Sequence, residues 1–397
     1  MKKIQSTIIF VTAGKWQLGG IKTAIKMGYK ILSIDEDKNA DGFKISNFTI
    51  REKLTNEKKI LSQLHNFNLK YEGVISYCSE EGMILASKIR KVFNLLGPNY
   101  NITKKLTDKS LQRLIFQKAG LNQPGYKIYK NKKSLINDLN KIKLPVIIKP
   151  IDSSGSRGVY KLEKRLKIND FVDLSFGYSK SKKVILEEFI DGKEFAVETF
   201  FQDGGMTLLT ISHKKKIKKT KGTVAYELST IKLSNKNYNQ LHSLIYASYN
   251  SIGYKNGVGH AEVIKTKNNF YLIEIAGRGP GFNVFDKFIP LITGINIPKY
   301  LIKNSIGESV KLNKSRKLQG IIKYFPSKEG IIKSIKGFEL LKKIKGIYGE
   351  SIVKVGDKTE DAKSDGDRNG YIISIDNKKN NAIKKLKLVE KKIKFIY

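Results

Sequence analysis

Residues 147–162 read IIKPIDSSGSRGVYKL, and after a polar spacer residues 184–198 read VILEEFIDGKEFAVE. A β-rich apolar run over residues 144–148 delivers Lys149 at a strand end, and a serine-rich loop containing Gly155 and Gly158 follows. A loop of small residues can fold its backbone N–H groups around phosphate oxygens, while a lysine on the neighbouring strand adds a point charge. The second stretch is another strand-like run that carries Glu187 and Glu188, then a turn at Asp191-Gly192, then Glu194. Together they read as a nucleotide site without a Walker A loop, since the GxxxxGK[ST] pattern does not occur in the chain. In isolation SSGSRG is equally well a hairpin turn. Its partners elsewhere in the chain have to choose between the two readings.

The remaining composition narrows the class. A chain of 397 residues can bury several cores and suggests two or three domains. Cys78 is the only cysteine, so no disulfide can form within the chain, and a cytoplasmic setting is the expectation. The apolar run 8–13 behind Lys2 and Lys3 leads into a Gly-rich turn rather than a cleavage site. No stretch approaches the roughly 20 apolar residues of a membrane span. The formal charge is +39, from 75 basic and 36 acidic residues. Such an excess suggests polyanions, but here it is mostly lysine, runs the whole length and is not interleaved with aromatics, which argues against nucleic acid. The densest run, HKKKIKKTK over residues 213–221, reads either as a solvated loop or as an overhang that helps hold an anionic ligand.

Read in order, residues 6–35 predict a strand, a Gly-rich turn, a helix over IKTAIKMGY and a second strand ending in Asp35. This βαβ unit evokes a dinucleotide fold, but Gly14, Gly19 and Gly20 do not fit GxGxxG. A strand over 73–77 leads into Ser79, which reads as a helix cap, and residues 97–99 read as a turn before a helix over 108–119. Lys109 then falls in the first helical turn, where the dipole disfavours a cation, a local conflict that hints at a ligand. A hairpin is expected around residues 203–205, then the lysine run, a strand over 224–228 and a helix over 237–252. GVGHAEVI and FYLIEIAGRGPGF predict two paired strands with His260 and Glu262 on one face and Glu274 beside them. Carboxylates in apolar runs need a partner. Glu262 and Glu274 can converge on a divalent cation, for which oxygen ligands suit Mg²⁺, and Arg278 is a candidate clamp for an anion.

The ordered set Lys109, Lys149, loop 153–158, residues 187–194, Glu262 and residues 274–278 resembles the ATP-grasp superfamily of carboxylate–amine ligases. Within it the chain looks most like the L-amino-acid (dipeptide) ligase and carbamoyl-phosphate-synthase-like members. The resemblance implies a mixed α/β and α+β architecture. A Rossmann-like pre-ATP-grasp domain would span residues 1–103, an ATP-grasp domain residues 104–305 with a flexible lid at about 112–184, and a small C-terminal α+β module residues 306–397. It implies ATP and Mg²⁺ (or Mn²⁺) as cofactors, with Lys109 and Lys149 on the α- and β-phosphates. Ser153, Ser154, Gly155 and Ser156 would be the flap, Glu187 with the backbone of Glu188 and Ile190 would read adenine, and Glu194 would hold the ribose. Glu262 and Glu274 would bind metal, Arg278 would stabilise an acyl-phosphate, and His260 would act on the substrate side. Many relatives have Glu-x-Asn at the second metal site, whereas this chain has Glu274-Ile275-Ala276. The implied reaction joins a small carboxylic acid, such as an amino acid, to an amine through an acyl-phosphate. A bicarbonate-using, carbamoyl-phosphate-type ligase and a polyanion-binding protein on a degenerate grasp fold are the alternatives. The resemblance also implies a homodimer and no membrane partner.

Overall fold

The computed structural model describes residues 6–217 and 224–397. The amino-terminal part is a parallel sheet of β1 (Thr7–Val11), β2 (Lys30–Asp35), β3 (Phe48–Arg51) and β4 (Tyr71–Ile75), in the order β3-β2-β1-β4. Helices α1 (Leu18–Lys26), α2 (Glu57–Asn66) and α3 (Glu80–Phe93) connect or follow its strands. Every residue of β1 is buried, as a strand covered on both faces requires. The first helix begins earlier than the sequence predicts. After a 3₁₀ turn at Lys15–Gln17 it takes in Gly19, where an added Cβ would lie 2.8 Å from Cβ of Asp286. The glycine is therefore part of a close helix packing rather than of an open turn.

Two helices stand where the sequence predicts one. Asn99 caps α4 (Tyr100–Thr107) by accepting from the Ile102 amide at 3.0 Å. Asp108 then ends it in an extended conformation and caps α5 (Lys109–Lys118), accepting from the amides of Ser110 and Leu111. A small antiparallel sheet follows, built from β5 (Tyr126–Tyr129), β6 (Val146–Pro150), β7 (Tyr160–Leu162) and β8 (Val184–Glu188) in the order β5-β8-β6-β7. Helices α6 (Lys132–Leu139) and α7 (Ile168–Tyr178) cover it and close a core around Leu135, Ile148, Val172 and Val184.

The largest element is an eight-stranded antiparallel sheet. Its first five strands are β9 (Lys193–Gln202), β10 (Gly205–Lys216), β11 (Ala225–Thr230), β12 (Gly257–Lys265) and β13 (Phe270–Ala276). After α8 (Asn235–Ile252), α9 (Ile289–Thr293) and α10 (Ile297–Ser305) the chain adds β14 (Gln319–Pro326). The short β15 (Gly330–Ile331) and β16 (Ser334–Lys336) come next, then β17 (Ile347–Ser351), β18 (Lys358–Thr359), β19 (Arg368–Asp376), α11 (Lys379–Glu390) and β20 (Lys394–Ile396). The large sheet runs β13-β12-β9-β10-β11-β14-β19-β17, so the last three strands extend it without a break. One core joins Phe10 and Tyr77 of the amino-terminal part, Phe285 and Phe288 after β13, and Ile322 and Ile373 of the carboxyl-terminal strands. The lysine run does not begin as a loop, because residues 213–216 belong to β10; positions 218–221 lie outside the described residues. Among the described residues no helix is long and apolar enough to cross a membrane.

Candidate functional site

Strand register brings the site together. Glu262 lies directly opposite Glu274 across β12 and β13, and His260 lies opposite Glu198 across β12 and β9. Directly paired residues share a face, so one face of the sheet carries all four. Alternation along β9 puts Glu194 on the same face, and alternation along β10 brings Lys214 and Lys216 to it. Lys214 is buried between Glu262 at 2.6 Å and Glu194 at 3.1 Å, and Lys216 meets Glu194 at 2.5 Å. Burial alone would lower the Lys214 pKa, but Glu262 and Glu194 outweigh it and hold the ammonium protonated. The sequence reading left Lys214 inside a lysine-rich stretch; the alternating Lys214–Lys216 spacing in a strand was the signal for it.

Helix α5 and the small sheet bring the opposing charges. Strand β13 is an edge, with its outer backbone groups open, and α5 satisfies them. Gln112 donates to the Ile275 carbonyl at 2.8 Å and accepts from the Ile275 amide at 3.2 Å, while Arg113 donates to the carbonyls of Leu272 and Ile273. This docking sets Lys109, the first residue of α5, against Glu274 at 3.0 Å and lets it donate to the Ser153 carbonyl at 2.7 Å. Burial works against the Lys109 charge, but Glu274 and Glu80 overcome it and its pKa rises. The cation in the first helical turn is thus held by tertiary partners. Lys149, on β6, contacts Glu187 of β8 at 2.8 Å, and Arg113 reaches the other Glu187 oxygen at 2.8 Å. Desolvation opposes the Glu187 charge, yet the two cations pull its pKa down to about 2. Burial lowers the Lys149 pKa despite Glu187.

The rim carries two further pairs. Arg278, in the bend after β13, donates to Glu80 at 2.6 Å, and Glu80 opens α3 next to its cap Ser79, whose side chain accepts from Gly82. Glu80 sits just past β4, beside the switch between β1 and β4 where open α/β sheets bind ligands. The sequence reading passed over it as part of a capping segment. His260 lies 3.0 Å from Glu198 and 3.5 Å from Glu262. Burial opposes protonation of the imidazole, but Glu198 and then Glu262 raise its pKa to about 9. Glu198, almost fully buried, is a second residue the sequence reading left out of the site. Glu227, on β11, is not on this face. Glu227 pairs with Lys215 at 2.7 Å on the opposite side of the sheet.

The chemistry of this donor set fits a nucleotide with a divalent cation. Three buried ammonium groups, Lys109, Lys149 and Lys214, surround opposed carboxylates, and each ammonium can exchange a carboxylate for a phosphate oxygen. Among the described residues no group of three or more His, Cys, Asp or Glu side chains could hold a metal by itself. Glu262 and Glu274 offer a cation two protein ligands, with water and phosphate oxygens left to complete the shell, which is the coordination Mg²⁺ favours.

Residues 142–284 match the ATP-grasp domain family. The chain is 23% identical over 316 residues to the uncharacterized protein y4rH of Sinorhizobium fredii, a match covering 76% of this chain and 63% of that protein. The chain therefore spans a little under two thirds of that relative. It is 25% identical over 265 residues to the D-alanine–D-alanine ligase of Pelagibacter ubique, covering 64% of this chain and 79% of the ligase. The crystal structure of an L-amino acid ligase from Bacillus licheniformis superposes over the full length of both chains with a TM-score of 0.84 at 19% identity, which shows a common fold. Residues 142–284, with the paired carboxylate strands they contain, thus match an ATP-grasp domain, and the chain as a whole shares the fold of an L-amino acid ligase.

Proposed function

We propose that the chain is an ATP-dependent carboxylate–amine ligase that activates a small organic acid, an amino acid being the best fit, as an acyl-phosphate. The observation that carries this reading is Lys109, one ammonium that touches both a carboxylate of the Glu262–Glu274 pair and the backbone of the Ser/Gly loop. In this reading Lys109 and Lys149 hold the α- and β-phosphates, and Lys214 adds a third buried charge. Ser153, Ser154, Gly155 and Ser156 close over the phosphates and keep water from the acyl-phosphate. The backbone of Glu188 and Ile190 reads adenine, Glu187 keeps Lys149 and Arg113 in place for it, and Glu194 takes the ribose hydroxyls. Glu262 and Glu274 take up Mg²⁺ or Mn²⁺. Such a cation, when bound with the nucleotide, screens the phosphate charge and polarises the transferred group.

The remaining residues serve the acid and the amine. A substrate carboxylate oxygen bonds to the γ-phosphorus as ADP leaves; the amine nitrogen then bonds to the acyl carbon, and phosphate departs as the nitrogen loses a proton. The chain contributes position and charge rather than a covalent nucleophile. Arg278 faces the developing negative charge of the acyl-phosphate. The Arg278–Glu80 pair presents one cation and one anion at the rim, the complement of a zwitterion, which favours an amino acid over bicarbonate. His260, oriented by Glu198, lies on the substrate side. Likeness to a D-alanine–D-alanine ligase and to an L-amino acid ligase supports this class of chemistry.

The test is phosphate release from Mg-ATP with a matrix of paired amino acids and amines. Turnover should require both partners, and E274Q should lower it about 100-fold or more, the scale of losing a group that stabilises transferred charge. No pair-dependent ADP from the wild type, or undiminished turnover by E274Q, overturns the proposal.

A further inference from the structure

The turn before β19 joins the Ser/Gly loop to the carboxyl-terminal strands through a side chain. Asp365 donates its amide to the Gly155 carbonyl at 3.2 Å, and its carboxylate accepts from the Ser156 hydroxyl at 3.4 Å. The other carboxylate oxygen accepts from the Ala225 amide at 2.9 Å and from Arg368 at 3.0 Å. Arg368 is buried; it donates to the Ala225 carbonyl at 2.9 Å and stacks its guanidinium on Tyr324 at 3.8 Å and Phe282 at 4.3 Å. Phe282 belongs to the bend that carries Arg278. A turn that only closed on itself would need the Asp365–Arg368 contact alone. This carboxylate instead ties the loop 153–158, the start of β11 and, through Arg368, the Arg278 bend to one point.

We propose that Asp365 is a positioning residue for nucleotide closure: it seats the Ser153–Gly158 loop on the carboxyl-terminal strands, and Arg368 couples that seat to the substrate-side bend. The carboxyl-terminal region thereby acts on the phosphate flap without touching substrate. The consequence for ATP rests on the ligase reading above, whereas the seat itself is testable without nucleotide.

Amide hydrogen exchange on the full chain, without and with Mg-AMPPNP, tests both parts. In D365A the amides of 153–158 should exchange about tenfold faster than in the wild type before nucleotide is added, the effect of losing a part-buried charged acceptor. The amides of β1, β2 and β4 should be unchanged. S156A, which removes only the loop-side partner, should give a smaller increase in the same segment, and D365N an intermediate one. With nucleotide, KM for ATP should rise in D365A more than kcat falls. Unchanged exchange of 153–158 in both D365A and S156A overturns the seat. If exchange responds as expected but the wild type gains no protection from Mg-AMPPNP, the seat stands and the nucleotide reading fails.

Discussion

Glu187 is the residue whose role differs most from its position in the sequence pattern. Its carboxylate lies between Arg113 and Lys149 with only 3% of the side chain exposed, so it acts as the counter-ion of two buried cations. Removing one partner of such a cluster leaves charge uncompensated. Its folded pKa is lowered from 4.5 to about 2, so its stabilisation is present above pH 4.5 and lost as pH falls toward 2. The shift corresponds to an order of about 3 kcal/mol. Urea denaturation between pH 5 and 2 should lose stability more steeply for the wild type than for E187Q, and E187Q should already be weaker at pH 7. Parallel curves would mean that the carboxylate is not held as described.

At the scale of elements, the flap depends on backbone geometry that few residues accept. Gly155, Ser156 and Gly158 all have positive φ. At Gly158, φ is +75°, and a Cβ would meet Pro150 Cγ at 2.8 Å and Tyr178 Cβ at 2.9 Å. Both conformation and space forbid a side chain there. G158A should therefore cost about 1–3 kcal/mol of stability and raise KM for ATP, measured by thermal unfolding together with initial rates. G155A, where nothing lies within 4 Å of the added Cβ, carries only the conformational strain and should be the milder variant.

At the scale of the whole molecule, the shared core from β1 through Phe285 to β14 and β19 predicts that the parts around it unfold together. A nucleotide that binds only the folded chain should raise the transition. Mg-ATP at 100 times its Kd adds about 2.7 kcal/mol, and calorimetry should register this as an upward shift of the main transition. A transition that Mg-ATP does not move would count against the site as a whole.

What the sequence determined by itself was local. Alternation in GVGHAEVI and FYLIEIA predicted paired strands with Glu262 and Glu274 on one face, and small residues at 153–158 marked a tight loop, because strand period and turn chemistry are written in neighbouring residues. The conflict of Lys109 with the helix dipole was visible as well. Only the tertiary structure decided the partners of those charges: that Lys214 lies buried among carboxylates, that Glu187 serves Arg113 and Lys149, and that Glu80 reaches Arg278. It also decided that residues 319–376 extend the large sheet and meet the loop 153–158 through Asp365. These contacts join residues far apart in the chain, and whether a charged side chain meets water or an opposite charge depends on packing that no local pattern encodes.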